Sequence, residues 1–174
     1  QRFGGLIDGA PIPVHLPVPG AFNVANAALA LAAASAAGSD PQVVAQGMST
    51  IQGPGRMEKI DAGQDFLAVV DYAHKPAAVA AVLDTLRQQA TGRIGVVLGA
   101  GGDRDAEKRP LMGTAAAERA DLVIITDDNP RSEDPELIRN AIVAGPADLP
   151  AEVRVIGDRA EALRAAVSWA GPGD

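Results

Sequence analysis

The run Leu122-Val123-Ile124-Ile125-Thr126 passes directly into Asp127-Asp128-Asn129-Pro130-Arg131. Five apolar or β-branched residues without polar alternation describe a strand buried on both faces, and such strands belong to parallel sheets covered by helices on each side. Ile94-Gly95-Val96-Val97-Leu98 and Ala68-Val69-Val70 read the same way. Strands are expected at Phe66 to Val70, Ile94 to Leu98, Leu122 to Thr126 and Val153 to Ile156. Helical patterns alternate with them at Pro76 to Gln89, Lys108 to Ala120, Pro135 to Val143 and Arg159 to Trp169. The alternation predicts an α/β fold: a doubly wound, mostly parallel sheet in three layers with right-handed crossovers.

The chain upstream has a different character. Its first ~20 residues, rich in glycine and proline, predict short extended pieces joined by turns. The alanine-leucine stretch from Ala21 to Ala37 predicts a helix stopped by Gly38, and Asp40-Pro41 caps a second helix running to Met48. Gln52-Gly53-Pro54-Gly55-Arg56 breaks the pattern and reads as a linker, dividing the chain into residues 1–53 and 54–174. The last helix runs into Gly171-Pro172-Gly173-Asp174, and a further strand, usual in a doubly wound domain, is expected beyond it.

Composition narrows the functions open to such a fold. Hydrophobic residues make up 47% of the 174 but aromatics only 3%, so the core must be built of small side chains. A formal charge of -7, with no basic block, argues against nucleic-acid or anionic-membrane partners. The chain has no cysteine, which excludes disulfides and thiolate metal sites and agrees with a cytoplasmic location. Its longest apolar stretch, around Ala25 to Ala37, is too interrupted to cross a bilayer. The two histidines, His15 and His74, lack partners at metal-ligand spacing.

Open parallel sheets bind ligands at the C-terminal ends of their strands, and the strand ends here carry the chemistry. Asp128, Asn129, Pro130 and Arg131 place a carboxylate, an amide and a guanidinium on a proline-stiffened turn, a set suited to a zwitterionic amino acid. Gly99-Ala100-Gly101-Gly102-Asp103-Arg104-Asp105 follows the preceding strand but matches neither phosphate-loop pattern. Arg104 is its candidate functional residue, able to join Arg131 in holding carboxylates by charge-assisted forks. Asp71-Tyr72-Ala73-His74-Lys75-Pro76 also ends a strand. There Asp71 either accepts ribose hydroxyls or caps the helix opening at Pro76, and His74 and Lys75 either face phosphates or are solvated. Asn23 and Asn26, three apart, share a helix face and suit either a ligand or a polar domain contact. Arg56 has a salt bridge and a phosphate contact as its two readings. Asp103, Asp105 and Glu107 have magnesium attraction and a solvated acidic loop as their two readings, the second preferred, and Ser132-Glu133-Asp134-Pro135 reads as a helix N-cap with an acidic first turn.

These segments together resemble the Mur ligases, ATP-dependent amide-forming enzymes of peptidoglycan precursor synthesis. Gly20-Ala21-Phe22-Asn23-Val24-Ala25-Asn26 resembles the family's two-asparagine helix, and Gly55-Arg56-Met57-Glu58 its entry into the C-terminal domain. Asp71 to Pro76, Gly101 to Asp105, Lys108 to Met112 and Asp128 to Arg131 resemble its later motifs. The resemblance implies a Rossmann-like C-terminal domain at 54–174 and the tail of a central ATPase domain at 1–53. It implies that Asn23, Asn26, Arg56, Asp71, His74 and Lys75 bind nucleotide. It also implies that Arg104, Asp128, Asn129, Pro130 and Arg131 bind the amino acid, meso-diaminopimelate, which is joined to a UDP-N-acetylmuramoyl dipeptide through an acyl phosphate.

ATP and Mg²⁺ are the implied cofactors. The phosphate loop, carbamylated lysine and magnesium ligands of the family, and its Gly-Lys-Gly-His-Glu segment, have no counterpart in these residues. The piece is therefore expected to be inactive without the remainder of the ligase polypeptide. A lysine-adding Mur ligase, a folylpolyglutamate synthetase and a non-catalytic binding module are the rival readings.

Overall fold

The computed structural model describes residues 1–51, 53–146 and 149–174, so Gln52, the first residue of the expected linker, lies outside the described residues. The chain forms two compact units: Gln1–Ile60 with Val69–Tyr72, and Asp61–Ala68 with Ala73–Asp174.

In the first unit, β1 (Arg2–Ile7) and β2 (Ala10–His15) pair antiparallel, with Ile7 opposite Ala10. The two-residue turn between them is Asp8-Gly9, both at positive φ (50° and 79°). That is the backbone a tight hairpin requires and the reason this dipeptide suits it. Ile12, Val14 and Leu16 alternate inward, while Pro11 and Pro13 are exposed. The inward row packs on Ala27 and Leu31 of α1 (Ala21–Ala36) and on Ala45 and Met48 of α2 (Pro41–Met48). Gly38, at φ 90°, ends α1, and the Asp40 carboxylate caps α2 by accepting from the Gln42 N–H at 2.8 Å, both as expected.

One expectation fails. The segment around Ala68-Val69-Val70 is not a doubly buried strand of the parallel sheet. It forms a short β4 (Ala68–Val70) that pairs with β3 (Glu58–Ile60) in a separate two-stranded sheet, and Val70 is exposed. The cause is local. Asp61 and Gln64 accept backbone N–H groups of Gly63 and Ala62, and Gly63 at φ 83° reverses the chain, so β3 reaches the edge of β4.

The second unit is the expected α/β structure. After α3 (Pro76–Arg87), the strands β5 (Gly95–Leu98), β6 (Leu122–Ile125) and β7 (Glu152–Val155) form a parallel sheet in the order β5-β6-β7. The intervening helices are α4 (Lys108–Ala117) and α5 (Pro135–Val143), and α6 (Arg159–Trp169) follows. The residues of β6 divide between two cores. Val123 and Ile125 pack with Val79 and Leu83 of α3, Met112 and Ala116 of α4, and Ile138 and Ile142 of α5. Leu122 and Ile124 pack with Ala162 and Trp169 of α6. The scarcity of aromatics suits this packing: a Cβ on Gly113 of α4 would lie 2.2 Å from the Ile142 carbonyl oxygen, so the two helices meet almost backbone to backbone.

Polar ties hold the edge of the sheet where its strands begin. Asp121, just before β6, accepts from the Ile94 N–H (2.7 Å) and the Arg87 guanidinium (2.9 Å). Burial pushes its carboxyl up, but these donors outweigh it and hold it below the usual aspartate value. At the same edge, just before β5, Arg93 stacks 4.0 Å from the Trp169 ring centroid and pairs with Asp174 at 2.7 Å. The Arg93 side chain and N–H, with the Gly171 N–H, hold the Asp174 carboxyl at about 2.

Two outcomes follow for the second unit. Ile124→Ala removes a side chain with no exposed surface and is expected to cost about 2–5 kcal/mol. Leu163→Ala, on the outer face of α6 and 49% exposed, should stay within about 0.5 kcal/mol. Urea unfolding followed by fluorescence of Trp169, the single tryptophan, compares them. Because the Asp174 pKa is depressed from 3.8 to about 2, its contacts stabilise the fold fully above the ordinary value and are lost as pH falls through about 2. An NMR titration of the Arg93 amide should show that midpoint; one near 3.8 would mean the contacts do not form.

Candidate functional site

The parallel sheet ends in loops that meet one another. Thr126, which closes β6, receives nothing from solvent: its N–H donates to the Leu98 carbonyl (3.0 Å) and its hydroxyl to the Gly157 carbonyl (3.0 Å). Asp127 continues the anchorage, with its N–H on the Gly157 carbonyl (3.2 Å) and its carboxylate paired to Arg139 of α5. The first aspartate of the strand-end motif is therefore a fixture of the turn. The residues after it are free to face outward.

Asp128 is half-buried and accepts from the Asn129 side-chain amide at 3.1 Å. Asn129 and Arg131 both adopt positive φ, 45° and 55°, a conformation L side chains adopt seldom, arginine more seldom than asparagine. Asp103, on the loop after β5, does the same at φ 52°. Three such residues on two adjoining loops mark a surface whose shape is imposed by its supports.

Those supports lie between the loops. The Gly102 N–H donates to the Asn129 carbonyl (3.1 Å), and a Cβ on Gly102 would fall 1.8 Å from the Pro130 carbonyl oxygen. Ser132 gives its hydroxyl to Asp103 at 2.6 Å and its N–H to the same carboxylate at 3.3 Å. Glu133 accepts the Asp103 N–H (2.5 Å) and a two-pronged fork from Arg109, both bonds 2.8 Å, while Arg109 also reaches the Gly101 carbonyl (3.3 Å). The fork raises the Arg109 pKa against the opposing effect of burial, and with the Asp103 N–H it holds the Glu133 carboxyl below its ordinary value.

Arg104 and Arg131 stand at the surface of this assembly. Both are exposed, and neither makes an ion pair or hydrogen bond among the described residues. The structure thus brings together Arg104, Asp128, Asn129, Pro130 and Arg131 on two neighbouring loops. Two guanidiniums, a carboxylate and an amide can receive a ligand bearing both carboxylate and ammonium groups.

The other expected residues fall elsewhere. Asp71 was expected at the same sheet edge, but the strand it follows, β4, is not part of that sheet. One Asp71 oxygen accepts the Met57 N–H at 2.9 Å, and the adjacent Tyr72 ring lies 4.6 Å from the Arg56 guanidinium, so Arg56-Met57 and Asp71-Tyr72 are tied together within the first unit. Asp71 does not cap α3, whose N-cap is Lys75 without a side-chain bond. Asn23 donates to the Pro19 carbonyl at 2.6 Å at the start of α1, and Asn26, one turn on, is exposed. In the second unit His74 and Lys75 are exposed, and the Lys108 ammonium donates to the His74 carbonyl at 3.0 Å.

Sequence reasoning missed the Arg109–Glu133 pair. Ser132-Glu133-Asp134-Pro135 was expected to be one capping element, yet Asp134 alone caps α5, accepting from the Glu136 N–H at 2.8 Å. Ser132 and Glu133 face the other loop. No spacing rule links Arg109 to a glutamate 24 residues away. The nearest signal was an arginine opening a helix beside a proline, and the acidic residues just before it, Asp105 and Glu107, pointed to a local partner instead. Among the described residues no group of three or more His, Cys, Asp or Glu is arranged to hold a metal ion, and no helix is long and apolar enough to cross a membrane.

The second unit is thus a parallel α/β domain with charged residues on the loops at its strand ends. The matching family, described as "Mur ligase, glutamate ligase domain", covers residues 55–174, and the chain belongs to the Mur ligases. UDP-N-acetylmuramoyl-L-alanyl-D-glutamate-2,6-diaminopimelate ligase of Corynebacterium efficiens is 67% identical over 96% of this chain and 33% of its own length. The protein of the same name from Streptomyces coelicolor is 51% identical over 95% of this chain and 34% of its own. A solved structure of a ligase of that name is 40% identical over 99% of the chain, with a TM-score of 0.65, and 36% of that chain is covered. Mycobacterium tuberculosis folylpolyglutamate synthase complexed with ADP is 27% identical over 95% of this chain and 39% of its own, with a TM-score of 0.73. The chain spans about a third of the length of the curated relatives it matches.

Two neighbouring glycines test the loop contact. Gly102→Ala drives a methyl into the Pro130 carbonyl oxygen and is expected to destabilise by about 1–3 kcal/mol with displacement of the 127–132 loop. Gly101→Ala, whose Cβ would meet its nearest atom at 3.9 Å, should leave the loop in place. Crystal structures of both variants, with urea unfolding, check this.

Proposed function

We propose that this chain is the amino-acid-selecting part of an ATP-dependent ligase that adds meso-2,6-diaminopimelate to UDP-N-acetylmuramoyl-L-alanyl-D-glutamate in peptidoglycan precursor synthesis. The observation that carries the reading is the pair of exposed guanidiniums, Arg104 and Arg131, without ion-pair or hydrogen-bond partners among the described residues, on two loops locked to each other. The names of the relatives support it.

Residues 54–174 are the C-terminal amino-acid-binding domain in this proposal, and residues 1–53 are the tail of the central ATP-binding domain. In the amino-acid site, Asp128 and the Asn129 amide meet an α-ammonium group, and Pro130 stiffens the turn that presents Arg131. Lysine lacks the second carboxylate of diaminopimelate, so with lysine bound Arg131 would face an ammonium-bearing chain unpaired. Leaving such a charge unmatched costs about 2–5 kcal/mol, or roughly 30-fold and more in discrimination.

Nucleotide binding is assigned unit by unit. Asn26 and the remaining capacity of Asn23 suit a base, Arg56 suits phosphate, and the Asp71 carboxylate suits a ribose hydroxyl. His74 and Lys75 of the second unit are exposed and suit phosphate. ATP supplies the leaving group by phosphorylating the D-glutamate side-chain carboxylate, which the diaminopimelate amine then attacks. For that attack these residues provide alignment and charge neutralisation and no covalent nucleophile. The magnesium ligands and the phosphate loop are assigned to other parts of a longer polypeptide, which works in the cytoplasm. The likeness to folylpolyglutamate synthase keeps a glutamate-adding ligase as the second reading.

In the full-length ligase carrying this sequence, Arg131→Ala should raise the KM for meso-diaminopimelate at least about 30-fold. The KM for ATP should change little and the disadvantage of lysine should shrink. Steady-state kinetics with each amino acid measure this, and an unmoved amino-acid KM would remove the pocket assignment. The 174 residues alone should form no product in the same assay.

A further inference from the structure

The Arg109–Glu133 pair takes no part in the proposed recognition, yet it lies beneath both recognition loops. Arg109 is 4% exposed, and its Nε is buried without a hydrogen-bond partner. An arginine held this way gives up hydration on an atom that nothing compensates, which makes the pair poorly suited to stability as such. Buried ion pairs are often replaceable by apolar residues at no loss of stability; what they supply well is a fixed geometry.

That geometry is specific. Glu133 receives both prongs of Arg109 and the Asp103 N–H, so one carboxylate joins the start of α4, the loop after β5 and the loop after β6. Asp103 in turn holds Ser132. The clamp therefore ends one residue from Arg104, which follows Asp103, and one residue from Arg131, which precedes Ser132. Asp103 and Arg131 are themselves at positive φ, so the clamp holds the backbone of both loops in conformations they would not keep unaided.

The geometry points to Arg109 and Glu133 as positioning residues for amino-acid selection: a buried two-pronged clamp that sets the spacing of the Arg104 and Arg131 guanidiniums. The inference rests on the proposed amino-acid site. A carboxylate at each end of a ligand must meet both guanidiniums together, and misplacement by about 1 Å can cost on the order of 100-fold. The charge and the fork both matter. Glutamine at 133 keeps one acceptor and loses the second, and lysine at 109 keeps the charge and loses the fork.

The test uses the full-length ligase, comparing Glu133→Gln, Arg109→Lys, Arg131→Ala and Asp121→Asn for kcat, for the KM of meso-diaminopimelate and of ATP, and for thermal stability. Glu133→Gln and Arg109→Lys should raise the diaminopimelate KM about 10-fold or more while the ATP KM stays within about twofold. Asp121→Asn weakens a different tie of the same sheet and should lower Tm without moving either KM. If Glu133→Gln leaves the diaminopimelate KM at the wild-type value while Arg131→Ala raises it, the clamp is structural only and the inference falls while the proposed site stands. If Arg131→Ala has no effect, both fall. Should Glu133→Gln fail to fold, Ser132→Ala removes only the exposed Ser132–Asp103 hydroxyl bond. It should raise the diaminopimelate KM about threefold, and an unchanged value would overturn the inference.

Discussion

The second unit depends on the burial of β6 from both sides. Leu122, Val123, Ile124 and Ile125 have no exposed surface, with a strand on each edge and helices over each face. Such a strand has no freedom to slide, because a shift of one residue would exchange the side chains facing the two cores. Its end is accordingly fixed, and Thr126 and Asp127 extend the fixation by bonding to the last residue of β5 and to the backbone that follows β7. The loop proposed to recognise the amino acid leaves the sheet from a point determined by hydrophobic packing.

Charge is distributed with similar economy. Arg87, Arg93, Arg109, Arg119, Arg139 and Arg154 each pair with a carboxylate. Arg104 and Arg131 make no ion pair among the described residues, although Asp103 and Asp105 flank Arg104 in a chain of net charge -7. Asp103, beside both, is occupied with Ser132, and Glu133 with Arg109. The carboxylates most able to neutralise the site are thus engaged below it.

Much of this was legible in the sequence, for reasons that separate local from distant effects. The bounds expected for α2, α5 and α6 match the structure, where a capping aspartate opens each one: Asp40, Asp134 and Asp158. The run at β6 announced its own burial. Segments whose state depends on a remote partner were read less well. Ala68-Val69-Val70 has the composition of a core strand, but the Asp61 to Gln64 turn gives it β3 as its neighbour. Glu133 has the composition of a helix start, but its partner lies in α4. Among the candidate site residues, Arg104 and Arg131 could be named from their strand-end positions. The clamp beneath them could not, since it is a tertiary contact between segments with no shared period.

The positive φ of Arg131 sets two demands on one position against each other. Holding a long side chain in the left-handed region costs the fold roughly 1–2 kcal/mol, and glycine or asparagine would adopt that backbone with less strain. For folding alone, losing the arginine is downhill; in the proposed ligand recognition it is the residue in front. A stability-guided redesign of this domain would discard the guanidinium first, and the resulting protein would be sturdier and blind.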